Sequence, residues 1–272
     1  MMPDSMANDA RTTSRPLSGK ICLITNCGLL QGGPDAAEFQ RQGATLVLQT
    51  TDFAKAKPRL VRDGVNFDPN GDASPLTIVE ADFSQSGVAE AEIARFVQRL
   101  GRLDVLVNNN APTHIDKPLH EIEDREWDEM YRLIVTELFR TTKAALRRMI
   151  PARRGKVINI AAAGGIDPYP GPYTAYCSAR GAIVTLTKAL GREVAPFNIQ
   201  VNAIAQNWVK NPSYFTDEEI SAPEFQEEMK RRVPIGRLAE PWEQARLAAF
   251  LAGEDSNFLC GTVIPFAGGE VL

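Results

Sequence analysis

The chain has 272 residues, 44% hydrophobic and 24% charged, with a formal charge of −4. That composition excludes extended disorder, collagen and coiled coil, and the acidic balance argues against a nucleic-acid partner or an anionic membrane surface. Two histidines (His114, His120) and four cysteines without paired CxxC spacing leave no metal centre to expect. Residues 1–19 are polar, lack an apolar h-region and predict a flexible tail rather than a secretory signal. With the four cysteines, this places the chain in a reducing cytoplasm. No apolar run approaches the ~20 residues of a membrane helix.

From residue 20 onward short apolar runs alternate with amphipathic stretches. KICLIT (20–25), ATLVLQ (44–49), LTIVEA (76–81), LDVLVNN (103–109), GKVINIA (155–161), IQVNAI (199–204) and GTVIPF (261–266) predict buried parallel strands. Helices are predicted between them at 34–43, 53–63, 87–100, 124–150, 173–195 and 240–252. Seven strands alternating with six helices predict an α/β fold. It is a single doubly wound Rossmann-type domain over 20–272, with a seven-stranded, mainly parallel sheet and helices on both faces. The segment 205–234 breaks the alternation with Pro212, Pro223 and Pro234, the aromatics Trp208, Tyr214 and Phe215, and short charged helices. Its place after strand six, at the carboxyl edge of the sheet, predicts a substrate lid.

The first strand feeds the turn T25-N-C-G-L-L-Q-G-G-P34. A nucleotide-binding turn needs glycines so that the backbone can approach a pyrophosphate at a helix N-terminus. The chain resembles the short-chain dehydrogenase/reductase (SDR) superfamily, whose pattern there is TGxxxGxG. Against it, Asn26 and Leu30 replace two glycines and Gly32 alone remains. Leu30 puts a branched side chain where a dinucleotide phosphate needs room, so no NAD(P) cofactor is expected. Asp52, after the second strand, reads as a solvated loop acid rather than a ribose ligand.

The strongest constellation is Y173-T-A-Y176-C-S-A-R180, opening the helix after strand five. Residues four apart share a helical face, so Tyr176 and Arg180 project side by side, and a fixed positive charge favours the ionised phenol. Tyr176 is thereby expected to act as general base or acid at a substrate oxygen. Tyr-x3-Arg with a degraded glycine turn resembles the halohydrin dehalogenases, cofactor-free relatives of the SDRs, over roughly residues 20–270. That resemblance implies reversible conversion of a vicinal halohydrin to an epoxide and halide, and epoxide opening by small anions. It also implies a halide pocket at Leu30, Gln206, Asn207 and Trp208, and a homotetramer through the helices after strands four and five.

Two features depart from that family. Its Thr-x4-Phe/Tyr-x-Gly reads T25-x4-L30-x-G32, and its Ser-x12-Tyr-x3-Arg reads A163-x12-Y176-x3-R180, with Ala163 at the serine position. A lost buried donor costs ~1–3 kcal/mol, so an impaired variant is one expectation. The alternatives are an NAD(P)-dependent SDR oxidoreductase with Arg for Lys, or a catalytically silent SDR scaffold. The Asn of the dehydrogenase proton relay falls near I134-V-T136 and is absent. Asn108, Asn109 and Asn110 are expected to tie the central sheet together, and Glu126, Glu129 and Glu137 to lie on a solvated helix face.

Overall fold

Strand β1 (Ile21–Ile24) is buried along its whole length, as four apolar residues without polar alternation require. A strand hidden on both faces needs helices above and below it. In the computed structural model this holds for the centre of a sheet built from β1, β2 (Thr45–Thr50), β3 (Leu76–Glu80), β4 (Val105–Asn108), β5 (Gly155–Ala162), β6 (Ile199–Gln206) and β7 (Val263–Phe266). The order across the sheet is β3-β2-β1-β4-β5-β6-β7. Every pairing is parallel, so the mainly parallel sheet of the sequence reading is parallel throughout. Helices α1 (Gly32–Arg41), α2 (Phe53–Arg62), α3 (Val88–Leu100), α4 (Asp124–Tyr131), α5 (Glu137–Ala152), α6 (Thr174–Val194), α7 (Asp217–Ser221), α8 (Pro223–Arg232) and α9 (Pro241–Ala252) complete the chain. One core layer gathers Phe39, Leu60 and Leu251 against the sheet. Another gathers Ile93, Phe96 and Met149.

The structure describes residues 15–68, 75–111, 115–211 and 215–271. Residues 1–14 of the expected tail, His114, and Pro212 and Tyr214 of the expected lid lie outside the described residues. Leu17 is fully buried and its N–H donates to the Gln42 carbonyl at 3.1 Å. Residues 15–19 therefore belong to the fold rather than to the tail. Among the described residues no helix is long and apolar enough to cross a membrane.

The helix predicted over 124–150 is interrupted. Between α4 and α5 the turn Arg132–Thr136 is π-helical, and the Asn110 side chain donates to the Leu133 carbonyl at 3.1 Å. A wide turn leaves a carbonyl outside the helical ladder, and an inserted side chain satisfies it. Just after this turn, Glu137 lies on the inward face of α5 with Thr141, Ala144 and Ala145, correcting the solvated face expected there. Glu137 is buried and accepts from Asn26 Nδ2 at 2.7 Å.

Burial pushes the Glu137 carboxyl up to about 7, with repulsion from Asp82 adding to the effect and the Asn26 hydrogen bond and Arg132 opposing it. A folded-state pKa above the ordinary 4.5 means that the stabilisation is complete below that value and is lost as pH rises through about 7. Relative to Glu137→Gln, the wild type should lose about 1.4 kcal/mol of stability per pH unit across this window. Urea unfolding of both proteins at about pH 5 and about pH 7 checks this; parallel stability curves would refute it.

Connections run from β1 outward through β2 to β3, then return across the sheet to β4 on the other side of β1. Adjacent connections that leave in opposite directions open a crevice at the carboxyl ends of β1 and β4. Asn109 holds the first turn there: its N–H donates to Thr25 Oγ1 at 2.9 Å, and its amide to the Asn26 and Leu29 carbonyls at 3.1 and 2.8 Å. Asn108 donates to Thr142 and Asn159, both at 2.9 Å, and Asn159 donates to Thr187 at 2.9 Å. These amides tie the central strands to α5 and α6, the structural role the sequence assigned them.

Candidate active site

Helix α6 starts at the carboxyl edge of the sheet, so its first two turns face the crevice. Tyr176 and Arg180 lie one turn apart, with the guanidinium carbon 5.1 Å from the phenol ring centre. The contact is with the ring face. The guanidinium hydrogen atoms go elsewhere: Nη1 donates to the Ile160 carbonyl at 3.0 Å and Nη2 to that of Asn110 at 3.1 Å. Arg180 is 2% exposed, and its Nε has no partner among the described residues. It therefore braces the ends of β4 and β5 and leaves one buried donor at the cavity wall. A lysine ammonium is a point charge without the planar fork that spans two carbonyls. Arg180→Lys should leave one of them unpaired and cost about 1–3 kcal/mol, read by urea unfolding; an unchanged midpoint would remove the brace argument.

The cavity has a volume of about 290 Å³ and is open to solvent on one side. Leu30, Tyr176, Arg180, Gln206, Asn207 and Trp208 all line it, so six of the seven predicted site residues meet in one place. Ala163 stands apart. It is fully buried with Ala267 and Val271, and the Tyr169 ring packs against this cluster. Tyr169, Tyr173 and Arg232 also line the cavity and were missed in the sequence. One signal was available for the phenols: three of the chain's five tyrosines fall within residues 169–176.

The loop after β6 does not present its donors to a ligand. Asn207 Nδ2 and Trp208 Nε1 both donate to Glu270 Oε2, at 2.5 and 2.8 Å. Arg232 Nε donates to the other oxygen of that carboxylate at 2.8 Å. The Trp208 ring stacks on Phe215 at 5.9 Å and lies 5.3 Å from the Arg232 guanidinium. Of the halide pocket expected at Leu30, Gln206, Asn207 and Trp208, the Asn207 amide and the Trp208 indole are thus engaged by a carboxylate that Arg232 neutralises in an ion pair at 2.6 Å.

The first turn keeps the left-handed backbone of a glycine at two positions that carry none. Asn26 and Leu30 adopt φ of 47° and 42°, the left-handed region. Asn tolerates this region, whereas a branched apolar residue pays roughly 1–2 kcal/mol for it. Leu30 is 4% exposed, and its carbonyl accepts from Arg59 Nη2 at 2.6 Å. Glycines 28, 32 and 33 serve packing, since a Cβ on each would meet Ala56, Cys27 or Asp63 at 2.6, 2.6 or 2.2 Å. Asp52 caps α2 by accepting from the Lys55 N–H and pairs with the Lys55 ammonium at 3.0 Å.

Comparison with known proteins fixes the family. A family model described as enoyl-(acyl carrier protein) reductase matches residues 33–270. The 3-oxoacyl-[acyl-carrier-protein] reductase FabG of Thermotoga maritima is 30% identical over 257 residues, covering 94% of this chain and 99% of that protein. Oxidoreductase UcpA of Escherichia coli K12 is 35% identical over 263 residues, covering 94% and 96%. Among solved structures, levodione reductase superposes with a TM-score of 0.84 at 25% identity, covering 93% of this chain and 98% of that one. A chain described as a dehalogenation enzyme superposes with a TM-score of 0.82 at 26% identity, covering 94% and 99%.

These relatives overturn the expected halohydrin dehalogenase. The two curated relatives above, similar over nearly the whole length, are named as a reductase and an oxidoreductase, not as carbon–halide lyases. The expectation of cofactor independence loses the support of the dehalogenase resemblance and rests on the first turn, where Leu30 replaces a glycine. With the matched family model, the parallel seven-stranded sheet and these relatives, the chain belongs to the short-chain dehydrogenase/reductase superfamily.

Proposed function

We propose that this protein is an SDR oxidoreductase acting on the oxygen of a small alcohol or carbonyl compound, with Tyr176 as the group that exchanges the proton. The observation carrying this reading is Tyr176 on the wall of a cavity at the carboxyl ends of the strands, its ring against the buried Arg180 guanidinium. The names of the curated relatives support the reaction class. A phenol at a developing alkoxide lowers the barrier by delivering a proton as charge appears, and the buried cation beside it stabilises that charge in a medium of low dielectric. The cavity has room for a small molecule or for the reacting end of a larger one.

An SDR oxidoreductase implies a nicotinamide dinucleotide laid over the first turn. The residues present do not fit it in the superfamily's manner. Leu30 occupies the space of the middle glycine, Arg59 is tied to the Leu30 carbonyl, and Arg180 spends two of its nitrogens on backbone carbonyls. A dinucleotide enters only if Leu30 turns aside. The test supplies NADH and NADPH with a panel of small ketones to the wild type and to Leu30→Gly. Ketone-dependent oxidation of one dinucleotide, faster in Leu30→Gly, is the expected result. No turnover by either protein with either dinucleotide would sink the reading. Assembly as a homotetramer through α4, α5 and α6 is part of the same proposal, and half-exposed Phe139 on α5 favours a covered helix face.

A further inference from the structure

Position 163 carries no hydroxyl, and its surroundings would not use one. Ala163 lies in a closed apolar cluster with Ala267 and Val271, and the Tyr169 ring packs against it. The ring also lies flush on Gly164, where a Cβ would come within 2.8 Å of a ring carbon. Tyr169 therefore covers the segment that carries Ala163 and lines the cavity itself. Its ring is nearly parallel to that of Tyr176, at 20° and 6.3 Å between centres. The Tyr173 ring meets it edge-on at 6.2 Å and fixes its orientation.

Two phenols side by side on one wall can share a single acceptor. Two O–H···O bonds of about 2.7 Å each let one acceptor be shared by hydroxyls up to about 5.4 Å apart, and both of these nearly parallel rings line the same cavity. We propose that Tyr169 supplies the second hydrogen bond to the substrate oxygen, in place of the hydroxyl that Ala163 lacks. The proposal rests on the reading of Tyr176 as the proton-exchanging group in this cavity. The two phenols divide the task by environment. Burial pushes the Tyr169 phenol well up, with Tyr176 and Glu270 adding and the Gly164 N–H and Arg180 opposing, so it stays a neutral donor. Tyr176 has the guanidinium at its ring face.

The experiment reads the hydrogen bonds directly, without turnover. The carbonyl infrared band of bound cyclohexanone is recorded in the wild type and in Tyr169→Phe, which keeps the ring on Gly164 and removes only the hydroxyl. A second donor lowers the carbonyl stretch further, so the band in Tyr169→Phe should move back toward that of free ketone. Where turnover is measured, kcat/KM should fall about ten- to hundred-fold, the loss of one buried donor. An identical band in both proteins would overturn the role of Tyr169 while leaving that of Tyr176 standing. No bound-ketone band in the wild type would overturn both readings. A shifted band in a protein that turns over no ketone would keep Tyr169 as a donor and sink the oxidoreductase reading alone.

Discussion

Tyr176→Phe should lower kcat for ketone reduction by about 10²–10⁴-fold, the usual contribution of a positioned proton donor, while the fold stays intact. The substitution removes one oxygen from the cavity wall and keeps the ring that faces Arg180 at 5.1 Å. The ring contact is thus preserved and the chemistry is not, so the loss should fall on kcat with little change in KM. The Tyr169 hydroxyl remains and still polarises the carbonyl, which sets a floor above the uncatalysed rate. Steady-state kinetics beside a thermal melt separate the two effects. A variant that keeps kcat within threefold would show that Tyr176 only lines the cavity.

Leu30→Gly should tighten dinucleotide binding by about ten- to hundred-fold. To admit a phosphate, the wild type must move a side chain that is 4% exposed into water, and burying a leucine is worth about 1.5–3 kcal/mol. At about 1.4 kcal/mol per tenfold, that is one to two powers of ten in Kd. Stability should change far less than a buried leucine implies. The residue sits at φ 42°, and glycine relieves the roughly 1–2 kcal/mol that a left-handed leucine costs. Calorimetric titration with NADH and NADPH measures the first effect and urea unfolding the second. Equal affinity in the two proteins would mean that Leu30 does not guard the crevice.

The strands, the helices between them and the Tyr176–Arg180 pair were legible because each rests on local periodicity. Buried parallel strands are short runs of Val, Ile and Leu, and residues four apart on a helix share a face. The replaced glycines at 26 and 30 were also visible as spacing, and both positions do adopt the left-handed backbone. Glu137 was misread because its charge suggested solvent, although it shares a helical face with Thr141, Ala144 and Ala145, which is buried.

Length, composition and charge set the chain among acidic globular proteins, and the alternation of runs alone determined one doubly wound domain. The scarcity of histidine fits a site proposed to run on phenols and a guanidinium. Only the tertiary structure decided what the site can bind. Glu270, more than sixty residues from Asn207 and Trp208, takes their amide and indole donors. Tyr169 reaches the wall that Ala163 cannot. Contacts between residues so far apart in the chain leave no period or spacing in the sequence, because they form only when β6 and the C-terminal segment pack together.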